Sequence, residues 1–94
     1  MNHIMSATLF VRHTIADYAS WRVAYDSADP VRVQHGCTGQ QVFRLPADSN
    51  DVIATHEFPS VNQAEAFAAD PALAAAMQRG GVTSAPRIEI FERA

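Results

Sequence analysis

Residues 5–13 read Met5-Ser6-Ala7-Thr8-Leu9-Phe10-Val11-Arg12-His13. Met5, Ala7, Leu9, Val11 and His13 fall on one side of an extended chain, and Ser6, Thr8, Phe10 and Arg12 on the other, which predicts a β-strand. The second set is not cleanly polar, because Phe10 interrupts it. The same double character recurs in residues 52–58, where Val52 and Phe58 oppose Ile53, and in residues 87–93, where Ile88 and Ile90 oppose Phe91. A sheet built from such strands needs cover on both faces.

The elements between these strands follow from spacing and punctuation. Tyr18, Trp21, Tyr25 and Ala28 recur at intervals of three and four behind Asp17, a natural N-cap, and predict a first helix that ends or bends at Pro30. Residues 31–35 add a further turn before Gly36, a C-terminal stop. Residues 38–45 and 52–58 read as a hairpin around the turn formers of residues 46–51. Ser60 and Gln63 match a capping box that opens a second helix with Val61, Ala64, Phe67 and Ala68 on its apolar stripe. Asp70-Pro71 interrupts that helix and restarts it, and Gly80-Gly81 ends it. The order is βαββαβ, an α+β ferredoxin-like chain with a four-stranded antiparallel sheet, the first and third strands central and both helices on one face. Two helices cover only one face, so a two-fold dimer is the simplest cover for the other.

With 94 residues, 48% of them hydrophobic, the chain has the size of one domain spanning residues 1–94. A formal charge of −3, with its seven basic residues all arginine and scattered, offers no field for nucleic acid or anionic lipid. Residues 1–5 lack a basic segment followed by an apolar run, and no stretch reaches the roughly 18 apolar residues of a membrane span. With a single cysteine, Cys37, the expectation is a cytoplasmic protein. The four histidines, at 3, 13, 35 and 56, never stand at metal-ligand spacing, so no metal is expected.

The chain resembles the dimeric α+β barrel superfamily and, within it, the small antibiotic biosynthesis monooxygenase-like proteins. The likeness covers nearly all of the chain. It is carried by His13 closing the first strand, Asp17-Tyr18-Ala19-Ser20-Trp21-Arg22 opening the helix, Gly36, Val42-Phe43-Arg44, Glu57-Phe58, and Met77-Gln78-Arg79-Gly80-Gly81-Val82. What the resemblance implies is a homodimer with facing sheets, a cavity in each subunit between sheet and helices, and chemistry without a tightly bound cofactor. Haem degradation, another activity of the superfamily, is disfavoured because residues 61–78 contain no histidine.

Several side chains are candidates for chemistry, each with a plainer alternative. Tyr18, Trp21, Arg22 and Tyr25 share one helical surface and could line an aromatic pocket or simply pack on the sheet. The topology brings His13, Tyr18 and Arg44 to one end of the sheet, as a proton-exchanging and anion-holding group or as a polar rim. His56 shares its face with Val52, Ala54 and Phe58, so it is a base beside an aromatic ligand or a satisfied core residue. Cys37 has no evident activating neighbour.

The favoured reading is a homodimeric, cofactor-independent monooxygenase-like enzyme acting on an aromatic or enolisable small molecule. His56 or His13 would remove a proton, Arg44 or Arg22 would hold the anion, and Trp21, Tyr25 and Phe67 would hold the rings. The competing readings are a non-catalytic homodimer that binds a small molecule or a protein, and a purely structural dimer. The interior decides between them: an open pocket of roughly a few hundred Å³ on which at least two of His13, Arg44 and His56 converge supports catalysis, whereas a filled interior removes it.

Overall fold

The computed structural model describes residues 5–94. His3 and the expectation about how the chain opens lie outside them.

The chain runs β1 (Ala7–Thr14), α1 (Tyr18–Ser27), α2 (Asp29–Gln34), β2 (Gly39–Leu45), β3 (Asp48–Phe58), α3 (Val61–Ala69), α4 (Pro71–Arg79) and β4 (Arg87–Glu92). The strands form one antiparallel sheet in the order β2-β3-β1-β4, with the first and third strands central as the βαββαβ reading requires. On β1 the alternation is realised residue by residue: Ala7, Leu9, Val11 and His13 are buried, and Thr8, Phe10, Arg12 and Thr14 are not. Leu9 stands opposite His56 and His13 opposite Val52, so both histidines share the face that the helices cover.

Three of the four helices start where their caps predict. The Asp17 carboxylate accepts from the Ser20 N–H at 2.9 Å, and the Ser60 hydroxyl accepts from the Gln63 N–H at 3.2 Å. Asp70 closes α3 and caps α4, its side chain accepting from the Ala72 N–H at 2.9 Å with Pro71 in the first turn. Pro30 likewise opens α2 as a separate short helix rather than bending α1. Gly36, with φ +81°, lets the chain turn out of α2 toward β2.

The β2–β3 connection differs from its sequence reading. Residues 48–51 belong to β3, and Pro46-Ala47 alone make the turn, closed by the Leu45–Asp48 pair. The register shifts between Arg44 and Leu45, leaving extra residues on β3. Those residues pair with the far end of β1 instead: Asp51 stands opposite Thr14, and the Asn50 carbonyl accepts from the Ile15 N–H at 2.9 Å. Pairing across the sheet has overridden the turn-forming composition.

The core lies between sheet and helices. Leu9, Val11, Phe58, Ala64 and Phe67 form one cluster, and Ile15, Trp21 and Val52 another beside it. The opposite face carries Phe10, Ile53, Phe43 and Phe91 among polar residues. Phe10 and Phe91 meet edge to face at 5.5 Å, and Arg12 forms a two-pronged ion pair with Asp51 at 2.8 and 3.0 Å. In the single chain Phe43 and Phe91 are 50% and 58% exposed, so this face is half apolar and open. Among the described residues no helix is long and apolar enough to cross a membrane.

Candidate functional site

A cavity of about 40 Å³ lies between the sheet and the helices. Its sheet side is Val11 and His13 of β1 with Ala54 and His56 of β3; Trp21 and Tyr25 of α1, Ala28, and Val31 and Arg32 of α2 form one wall. Phe67 of α3 and Leu73, Ala76 and Met77 of α4 complete the enclosure. At roughly 10–15 Å³ per water on this scale, the space suits about three water molecules.

Strand periodicity places the two imidazoles. His13 and His56 are 5% and 2% exposed, and both sit on inward positions of central strands. The Tyr25 hydroxyl lies 3.0 Å from His56 Nε2. Four buried nitrogens have no hydrogen-bond partner among the described residues: both ring nitrogens of His13, Nδ1 of His56 and Nε of Arg32. Native interiors rarely leave such groups unpaired, and the three residues that carry them, His13, Arg32 and His56, all line this cavity.

Burial pushes the His13 imidazole below its ordinary pKa, against the pull of the Asp51 carboxylate. Burial lowers His56 further, to about 4, with the Arg32 charge acting in the same direction. Both rings are therefore neutral near pH 7. Burial also raises the Tyr25 phenol, opposed by Arg32 and Arg22, so that it keeps its proton.

Aromatic rings run through the site in sequence. Tyr18 stacks on Trp21 at 5.8 Å and Trp21 on Tyr25 at 4.9 Å, as their helical spacing dictates. His13 meets the Trp21 edge at 5.9 Å, and Phe67 lies 5.3 Å from His56. Of the residues singled out in the sequence, His13, Trp21, Tyr25, His56 and Phe67 thus come together at the cavity. Tyr18, Arg22 and Arg44 do not line it. The Arg44 guanidinium sits over the Tyr18 ring at 4.3 Å on the edge strand, and Arg22 pairs with Asp26 at 3.1 Å on the helix surface.

The cation that does reach the cavity is Arg32, which sequence reasoning passed over. It is 3% exposed, lies 4.1 Å over the Tyr25 ring, and donates from a terminal nitrogen to the Tyr25 carbonyl at 2.8 Å. Its Nε lies 3.4 Å from an Asp29 carboxylate oxygen, close enough for ion pairing but not aligned for a hydrogen bond. The available signal was the Asp29-Pro30 helix start, which places Arg32 one turn on and facing back toward α1.

Cys37 and His35 are engaged elsewhere. The Cys37 thiol donates to the Gly39 carbonyl at 3.2 Å and burial raises its pKa, while His35 pairs with Asp70 at 2.8 Å. Among the described residues, no three His, Cys, Asp or Glu side chains come together to hold a metal ion.

No family profile matches the sequence, and no curated protein sequence matches it either. Solved structures do. A candidate antibiotic biosynthesis monooxygenase from Bordetella bronchiseptica superposes with a TM-score of 0.80 over 96% of this chain and 98% of that one, at 10% identity. SnoaB, a cofactor-independent oxygenase from Streptomyces nogalater, gives 0.77 over 96% and 94%, at 12% identity. The chain shares the fold of these antibiotic biosynthesis monooxygenase-like structures. NE2512 from Nitrosomonas europaea, a protein of unknown function, shares this fold with a TM-score of 0.73 over 98% and 92%, at 22% identity. At these identities the likeness is one of fold.

Proposed function

We propose that the chain is a cofactor-independent, monooxygenase-like enzyme acting on an aromatic or enolisable small molecule in the cavity between sheet and helices. The observation that carries this reading is that His13, His56 and Arg32, each with a buried nitrogen lacking a hydrogen-bond partner among the described residues, all line one aromatic-walled cavity. The activity of SnoaB on the same fold supports it.

The chemistry is balanced by dioxygen as the oxidant. A C–H proton next to a carbonyl or phenol moves to an imidazole, and the electron pair spreads onto the substrate oxygen. The anion passes electrons to dioxygen, forming a C–O bond and, after protonation, a hydroperoxide. At a methylene carbon, loss of water from the hydroperoxide leaves a carbonyl; one oxygen atom stays in the product and the other leaves as water. Arg32 takes over the anion-holding role that the sequence reading gave to Arg44 or Arg22, because it alone of the three borders the cavity. A cavity of about 40 Å³ admits no aromatic ring system, so binding requires the Leu73 and Met77 wall to give way.

Oxygen uptake with quinols and anthrone-like compounds tests the reading, comparing wild type with His56→Ala and Arg32→Ala. Rates falling at least tenfold in both variants fit the roles; equal rates in all three proteins reject them. The cavity's volume of about 40 Å³ falls short of the open pocket expected for catalysis and favours a second reading, a purely structural protein with a packed interior, for which the same compounds give neither thermal shift nor oxygen uptake.

We also infer a homodimer that covers the open face carrying Phe10, Phe43, Ile53 and Phe91. A half-apolar sheet face of this kind supports the pairing. A stable monomer at micromolar concentration in sedimentation refutes it.

A further inference from the structure

The two imidazoles at the cavity differ in their hydrogen bonding. His13 has neither ring nitrogen engaged, while His56 has Nε2 on the Tyr25 hydroxyl and Nδ1 free.

A phenol and a neutral imidazole can share a hydrogen bond in two directions. If Tyr25 donates, His56 carries its proton on Nδ1; if Tyr25 accepts, Nδ1 is a bare lone pair. Three considerations select donation. A phenol is the stronger donor and an unprotonated ring nitrogen the stronger acceptor. Among the described residues His56 is the only side chain hydrogen-bonded to the Tyr25 hydroxyl, so accepting would leave the phenol proton without a protein partner. The Arg32 guanidinium, 4.1 Å over the ring, favours the negative charge that donation places on the phenol.

We propose that Tyr25 is a positioning residue that holds His56 in its Nδ1–H tautomer, so that His56 donates a hydrogen bond to the oxygen of a planar hydroxyaromatic or enolic substrate while His13 accepts the proton. The proposal rests on the cavity being the substrate site. The substrate's C–H bond breaks, its proton forms a new N–H on His13, and the electron pair left behind delocalises to the oxygen held by His56. His13 is the acceptor because neither of its ring nitrogens is engaged, whereas the Nε2 lone pair of His56 is taken up by the Tyr25 hydroxyl. His56 Nδ1, the donor that this tautomer supplies, has no partner among the described residues, which selects for an acceptor atom on the guest.

The test uses the full chain labelled with ¹⁵N in its histidines, near neutral pH. In the wild type, His56 should show a protonated Nδ1 and an unprotonated Nε2. Tyr25→Phe should shift His56 toward the Nε2–H form and weaken anaerobic binding of 2-naphthol, the probe, roughly tenfold. A wild-type His56 protonated on Nε2 overturns the proposal, as does a folded Tyr25→Phe protein with unchanged tautomer and unchanged affinity. The wild-type spectrum settles the tautomer even if that variant does not fold. Failure of wild type to bind 2-naphthol overturns the substrate half together with the cavity reading. Tight, Tyr25-dependent binding without oxygen uptake from any enolisable compound supports the proposal and removes only the oxygenation step.

Discussion

The Arg32 guanidinium lies 4.1 Å above the Tyr25 ring and donates to the Tyr25 carbonyl at 2.8 Å, tying the short helix α2 back onto α1. One side chain thereby supplies a cation to the cavity and fixes the wall that carries the aromatic rings. Arg32→Met keeps much of the apolar stem and removes both contacts. It should destabilise the fold by about 3 kcal/mol, from a charged hydrogen bond and a buried cation–π contact, read as a lower urea midpoint.

Gly80→Ala should destabilise even though alanine is the better helix residue. A Cβ at position 80 would stand 3.0 Å from Trp21 Cδ1 and 3.5 Å from Ala24 Cβ. Trp21 is stacked on Tyr18 and Tyr25 and has little room to withdraw. Overpacking of roughly 1–3 kcal/mol outweighs a propensity gain below about 1 kcal/mol, for a net loss near 1 kcal/mol. Urea unfolding gives the magnitude, and a change in tryptophan emission locates it.

Acid should unfold the protein early. His56 falls from 6.5 to about 4 on folding, so between these pH values the unfolded chain binds a proton that the native chain does not. Stability is therefore full above pH 6.5 and declines as the pH drops, by about 3 kcal/mol at pH 4 from this residue alone. His13 shifts in the same direction and adds to the loss. Unfolding free energies at a series of pH values test this; a flat profile between pH 7 and 4.5 contradicts it.

Phe91→Glu should break the proposed pairing of sheets. Phe91 is 58% exposed in the single chain and packs on Phe10 at 5.5 Å, so the change costs the monomer little. In a two-fold interface it occurs twice and removes about 3 kcal/mol of apolar burial, a roughly 100-fold weaker association. Sedimentation over a range of concentrations measures it.

The strand pattern made most of this architecture readable. Period-two alternation put His13 and His56 on the covered face from residue types alone, and Asp17, Ser60 and Asp70-Pro71 announced the helix starts. The reading failed where partners distant in sequence decide the outcome. Residues 48–51 look like a turn, but pairing with β1 makes them strand. Arg32 looks like a solvated charge on a short helix, and only the approach of α1 shows that its guanidinium is buried on Tyr25. Arg44 and Arg22 lie near the right aromatic rings yet on their outer sides. Periodicity reports which face a residue takes; it does not report how deep that face lies.

The imidazoles rise from paired strands, whereas the side chains that limit the cavity's size, Leu73, Ala76 and Met77, belong to a nine-residue helix held at its start by Asp70. In the proposed reaction, proton transfer and capacity thus belong to different parts of the chain. Exchanging the contents of that helix could retune which molecules are admitted while the proton-handling groups keep their spacing, since methionine bends through three soft torsions and a ladder of backbone hydrogen bonds does not.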